Sequence, residues 1–168
     1  MNDLEKYFTA NTGNLIHKWL HYFDIYDRHF VRFRGKSPRV LEIGVSHGGS
    51  LHMWRDYFGP GCRIYGVDIN PKCAELQEEG IEILIGDQGN TEFLRSLSAR
   101  IGKIDILIDD GSHIMDHQIK TMEVLFHAID SRGVYLCEDV HTSYWREWGV
   151  AIRNAARLSS IRKISSTI

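Results

Sequence analysis

Five short apolar runs, each ending at or beside an acid, constrain this chain more than any other feature. They are RVLEIG (39–44), CRIYGVDI (62–69), IEILIGD (81–87), IDILIDD (104–110) and GVYLCED (133–139). Apolar residues fill nearly every position in them, the pattern of strands covered on both faces. Between them lie four segments of helical character: SLHMWRDYF, PKCAELQEE, NTEFLRSLSARI and HQIKTMEVLFHAID. Strand–helix alternation at this rhythm implies right-handed crossovers. The expected fold is α/β and Rossmann-like, a mostly parallel sheet with helices on both faces.

Ahead of the sheet, apolar residues recur at Leu15, Ile16, Trp19, Leu20, Phe23 and Tyr26. That spacing predicts an amphipathic helix within residues 3–34. Gly35, Ser37 and Pro38 then break it. The 168 residues fit a single domain. We divide it into an N-terminal helical segment (1–37), a cofactor- and metal-binding core (38–148) and a divergent tail (149–168).

The net charge of −2 argues against a general nucleic-acid binder. The basic run RHFVRFRGKSPR (28–39) reads as a solvated surface segment. Cys62, Cys73 and Cys137 show no paired spacing, which suggests reduced thiols and a cytoplasmic protein. No window approaches the roughly 18 apolar residues of a membrane helix, and MNDLEKYF lacks the features of a signal peptide.

In parallel sheets, ligands bind outside the carboxyl ends of the strands. The residues there are Glu42 to Gly49, Asp68, Asp87-Gln88, Asp109 to His113 and Glu138-Asp139. EIGVSHGGS (42–50) is glycine-rich and opens a helix, but it is not GxGxxG. A nicotinamide-dependent oxidoreductase is disfavoured on that ground. Gly44 would let backbone approach a ligand. Asp68 is placed to accept from ribose hydroxyls, and Asp87-Gln88 to meet an adenine. Together with Glu42 and Asp109 they form the candidate cofactor-binding set. A nucleoside without pyrophosphate fits it, and S-adenosylmethionine is the common ligand of that kind. The competing structural reading is that Gly44 and Gly48 only turn the chain and Asp68 only caps a helix.

The fourth and fifth strands should be neighbours, so Asp110, Glu138 and Asp139 can converge. Crowded carboxylates repel one another unless a positive charge lies between them. Oxygen ligands favour Mg²⁺ or Mn²⁺. A bound cation would acidify a substrate hydroxyl, with His113 as its general base. Parity leaves open whether Asp109 or Asp110 faces the ion. Asp109 and Ser112 can also be read as helix caps, and His113 as structural. His141 can line the site. His17, His21, His29, His52, His117 and His127 read as surface or edge-of-core residues of helical segments.

The stretches VLEIGVSHGGSLHMWRDYFGPGCRIYGVDINP, IDILIDDGSHIMDHQIKTMEVLF and GVYLCEDVHTSYW resemble the cephalosporin-hydroxylase-like group of class I methyltransferases, which includes macrolide sugar O-methyltransferases. The resemblance runs from about Trp19 to Trp145. It implies a metal-dependent O-methyltransferase that uses S-adenosylmethionine on a hydroxyl of a sugar or glycosylated natural product. It also implies Asp110, Glu138 and Asp139 as metal ligands, and His113 with Asp110 in catalysis, and so prefers Asp110 to Asp109. The alternative is a domain that binds S-adenosylmethionine without turnover. The 23 residues after Trp145 do not resemble the group. There we expect a helix over 150–158, one edge strand over 161–168, and a C-terminal strand pair shortened or missing. A poorly covered fifth strand invites pairing with another copy, so a homo-oligomer is expected. The expected partner is a small-molecule hydroxyl acceptor, with no nucleic acid and no membrane.

Overall fold

The computed structural model describes residues 1–145 and Trp148. Five strands, β1 (Arg39–Ile43), β2 (Arg63–Asp68), β3 (Ile81–Ile85), β4 (Ile104–Asp109) and β5 (Ile129–Cys137), form one sheet. Their order is β3-β2-β1-β4-β5, and every pairing is parallel. The order reverses at β1, so a crevice opens between the ends of β1 and β4, where such folds place their ligands. The helix and edge strand expected over 150–168 lie outside the described residues.

Alternate residues of the strands feed two cores. Val40, Ile64, Ile106 and Ile108 pack with Phe23, Tyr26, Phe30 and Trp54 on one face. Leu41, Ile43, Val67 and Leu107 pack with Leu94, Leu97 and Leu125 on the other. The first face is covered by α1 (Asp3–Ala10), α2 (Tyr22–Phe30) and α3 (Gly49–Phe58), the second by α4 (Thr91–Ile101) and α5 (Met115–Leu125). Asn2 caps α1 by accepting from Glu5 N, and Asn90 caps α4 by accepting from Glu92 N and Phe93 N.

Three local readings need correction. The N-terminal stretch is not one helix. α1 ends at Ala10, residues 11–21 run without regular helix, and α2 begins at Tyr22. Asn11, Gly13 and Asn14 explain the break: Asn11 Oδ1 accepts from Gly13 N, and Asn11 Nδ2 donates to Asn14 O. Of the apolar residues in this stretch, Ile16 is buried, whereas Leu15, Trp19 and Leu20 are exposed. Residues 71–79 do not form an α-helix either. Pro71–Leu76 is a 3₁₀ turn, capped by Asn70 accepting from Lys72 N. Finally, β5 starts four residues earlier than the glycine of GVYLCED, with a register shift between Ile104 and Ile106.

Candidate active site

Asp109 pairs in register with Cys137, so the chain leaves β4 and β5 side by side. The next residues, Asp110, Glu138 and Asp139, therefore emerge together, as neighbouring parallel strands require. Gly44 makes the crevice possible at the end of β1. Its φ is +96°, and a Cβ there would run into the Asp110 carbonyl. Gly44, Ser46, Asp68, Asp110, His113, Glu138 and Asp139 all line one cleft of ≈ 540 Å³, with His17, Trp19, His141, Trp145 and Trp148 among its other walls. That size suits a small-molecule site.

Four expected cofactor residues lie outside the lining of this cleft, each for a visible reason. Glu42 is fully buried; its Oε2 accepts from Ser50 Oγ at 2.8 Å and Trp54 Nε1 at 3.1 Å. Asp109 is fully buried and accepts from Gln88 Nε2 at 2.6 Å and Tyr135 Oη at 2.9 Å. Burial pushes the Asp109 carboxyl above its ordinary range. The Gln88 amide is taken up internally as well. Its Nε2 also donates to Thr121 Oγ1, and its Oε1 accepts from Ser112 N. Asp87 is exposed and accepts from Gly89 N.

Asp68 stands at the edge of the cleft. Its Oδ2 accepts from Val45 N at 3.0 Å and Ser46 N at 2.9 Å, so it holds the glycine-rich loop against β2. Its Oδ1 accepts from Asn70 N at 2.8 Å. A carboxylate offers about four acceptor positions, so Asp68 retains capacity for a ligand hydroxyl. Asp109 does not cap α5, whose N-cap residue is Ile114. Ser112 Oγ is instead 3.3 Å from Ile114 N and 2.9 Å from His117 Nδ1.

The positive charge among the acids comes from a residue that the sequence reading passed over. Lys18 Nζ lies 2.6 Å from Asp110 Oδ2, 2.9 Å from Glu138 Oε1 and 3.2 Å from Glu42 Oε1. Its side chain is only 3% exposed. Burial opposes its charge, but Glu42, Glu138 and Asp110 together outweigh that and hold the ammonium above the usual lysine range. Tyr26 Oη donates to Glu138 Oε1 at 2.6 Å. Burial still pushes Glu138 up to about 7, opposed by Lys18 and reinforced by Asp110.

One group of potential ligand atoms remains turned toward the cleft. Asp110, His113 and Asp139 each offer an atom within 4.8 Å of the other two. His113 Nε2 is 3.8 Å from both Asp110 Oδ1 and Asp139 Oδ2. Glu138 is not part of this trio; its Oε1 is committed to Lys18 and Tyr26. Two of the residues here have left-handed backbone, His113 at φ +56° and Asp139 at φ +52°. Strain of that kind concentrates at functional sites. His113 Nδ1 is buried without a hydrogen-bond partner among the described residues. The donor set of two carboxylates and an imidazole suits a hard divalent cation.

The sequence model of the FtsJ-like methyltransferase family matches residues 17–154. The chain belongs to this family. This FtsJ-like methyltransferase is similar to named O-methyltransferases. It is 40% identical over 158 residues to demethylmacrocin O-methyltransferase of Streptomyces fradiae, covering 89% of this chain and 38% of that protein. It is 42% identical over 152 residues to mycinamicin VI 2''-O-methyltransferase of Micromonospora griseorubida, covering 86% of this chain and 36% of that protein. Among solved structures, MycE methyltransferase from the mycinamycin biosynthetic pathway, in complex with Mg, SAH and mycinamycin VI, superposes with a TM-score of 0.76 at 38% identity. The match covers 88% of this chain and 39% of that one. The chain thus spans under two-fifths of the length of these relatives.

The sequence reading did not single out Lys18, Trp19, Tyr22 and Tyr26, whose side chains bond the acids of the cleft. A signal was present: Gly13 and Asn14 mark a break just before HKWLHY, which argues against one continuous helix there.

Proposed function

We propose that this chain is a metal-dependent O-methyltransferase acting on a sugar hydroxyl of a glycosylated natural product, with S-adenosylmethionine as methyl donor. The observation that carries this reading is the convergence of Asp110, Asp139 and His113 on one point of the cleft. The likeness to two sugar O-methyltransferases, and to a relative solved with Mg and SAH, supports it.

Asp110 and Asp139, with the charge of Glu138 beside them, would hold Mg²⁺ or Mn²⁺. A divalent cation, when bound, lowers the pKa of a coordinated hydroxyl and so makes an alkoxide-like nucleophile accessible near neutral pH. His113 takes the hydroxyl proton at Nε2, the nitrogen facing both acids. A metal-ligating histidine normally anchors its second nitrogen on a carboxylate or carbonyl. Among the described residues His113 Nδ1 has no such anchor, and the base role rests on the position of Nε2 beside both acids. On the nucleoside side, Asp68 accepts from ribose hydroxyls, and Gly44 leaves room for the donor to approach the backbone. The acceptor oxygen then attacks the methyl carbon in line with the departing sulfur. Trp19, Trp145 and Trp148 wall the cleft and offer apolar faces to a sugar ring.

The net charge of −2 supports a small acceptor over a polyanion. Three free thiols support a cytoplasmic setting. Among the described residues no helix is long and apolar enough to cross a membrane. The exposed Leu20 and Tyr144 support association with a second copy.

The test is transfer of a labelled methyl group to glycosylated macrolides carrying free sugar hydroxyls. Product is expected with Mg²⁺, and none with EDTA or with Asp110→Asn. Nucleoside binding with no product from any acceptor would support binding without turnover instead.

A further inference from the structure

Asp110, Glu138 and Asp139 are each gripped from behind by one short segment of chain, and each grip uses one oxygen only. Lys18 Nζ takes Asp110 Oδ2 at 2.6 Å, while Asp110 Oδ1 is the oxygen that faces His113. Trp19 Nε1 at 3.1 Å and Tyr22 Oη at 3.0 Å both donate to Asp139 Oδ1, while Asp139 Oδ2 faces His113. The Tyr22 hydroxyl also accepts from Asp139 N at 3.1 Å, so it fixes the left-handed backbone of Asp139 as well as its side chain. Lys18 and Tyr26 share Glu138 Oε1.

The segment doing this is itself fixed. A Cβ on Gly49 would run into the carbonyls of Asn14 and Leu15, so the absence of a side chain there lets residues 14–16 lie directly on the first turn of α3. Ile16 is buried in the core beside them. At the other end, Tyr26 is fully buried, stacked on Phe30 and edge-on to Trp54. Trp54 in turn donates to Glu42, the third acid on Lys18.

From this division of oxygens we infer that residues 18–26 are a positioning strap. Trp19 and Tyr22 orient Asp139, and Lys18 orients Asp110, so that the second oxygen of each is presented to a divalent cation. This rests on the proposed function. Groups that orient ligands from behind typically cost 10–100-fold in metal affinity when removed.

The experiment measures the Mn²⁺ dissociation constant by electron paramagnetic resonance, with no nucleoside and no acceptor present. Tyr22→Phe removes only the hydroxyl, and Trp19→Phe removes the indole donor together with part of the ring. Each is expected to weaken Mn²⁺ binding by roughly 10–100-fold, with little change in the melting temperature in EDTA. Tyr57→Phe is the control, because it removes a comparable hydroxyl bonded to Asp27 Oδ1 at 2.7 Å, away from the cleft. It should leave the Mn²⁺ constant unchanged. Tight Mn²⁺ binding by the unaltered chain with unchanged constants in Tyr22→Phe and Trp19→Phe would overturn the strap and leave the proposed function standing. Equal weakening by Tyr57→Phe would also overturn it. No Mn²⁺ binding by the unaltered chain would overturn the proposed function and the strap together.

Discussion

Lys18 Nζ and Asp110 Oδ2, 92 residues apart in sequence, lie 2.6 Å apart, with the Lys18 side chain only 3% exposed. This contact ties the segment between α1 and α2 to the end of β4. It also gives the acid cluster an internal cation of its own.

Removing that cation should be costly. Lys18→Met leaves Glu42, which is fully buried, without its charged partner. Breaking a buried ion pair from one side costs about 3–5 kcal/mol. We expect a loss of that size by urea denaturation in EDTA, partly restored by adding Glu42→Gln. A loss below about 1 kcal/mol, the scale of exposed ion pairs, would contradict the geometry.

Two adjacent residues at the end of β3 should behave oppositely. Gln88 is buried and bonds Asp109, Thr121 and Ser112 N. Gln88→Ala strands these partners, and each buried orphan costs about 1–3 kcal/mol. Asp87 is exposed, so Asp87→Ala should change stability by less than about 0.5 kcal/mol. Thermal unfolding of both variants checks the contrast.

Gly44→Ala should separate the ends of β1 and β4. The left-handed φ of +96° disfavours any side chain, and the added methyl meets the Asp110 carbonyl. Strain of this kind costs about 1–3 kcal/mol. Calorimetric titration should show weakened S-adenosylhomocysteine binding beyond what the stability loss explains.

Much of this was legible in the sequence. The five apolar runs gave the strands because parallel strands covered on both faces need apolar residues throughout. The acids after β4 and β5 were legible because parallel neighbours must end together. The strap was not. Its apolar spacing mimics a helix, and nothing local shows that Lys18 turns inward to meet acids from β1, β4 and β5. Glu42, Gln88 and Asp109 stood at strand ends as expected. Their neighbours Trp54, Thr121 and Tyr135, from distant stretches, take up their polar atoms, and a linear reading cannot count such partners.

The metal-free protein should carry a pH signature from Glu138, whose carboxyl is pushed from 4.5 up to about 7. A raised carboxyl favours the fold most below its unfolded value, and that contribution is lost as pH rises through its folded value. The window therefore runs from about pH 4.5 to 7. In EDTA, the unaltered chain should lose stability relative to Glu138→Gln across that window. Parallel stability curves for the two proteins would contradict the assignment.

The most direct measurement is an anomalous difference map from crystals of this chain grown with Mn²⁺ and S-adenosylhomocysteine. The account predicts a manganese peak within coordinating distance of Asp110 Oδ1 and Asp139 Oδ2, beside His113, with the nucleoside over Gly44 and Asp68. A map with no peak at that point, while the nucleoside occupies the cleft, would contradict it.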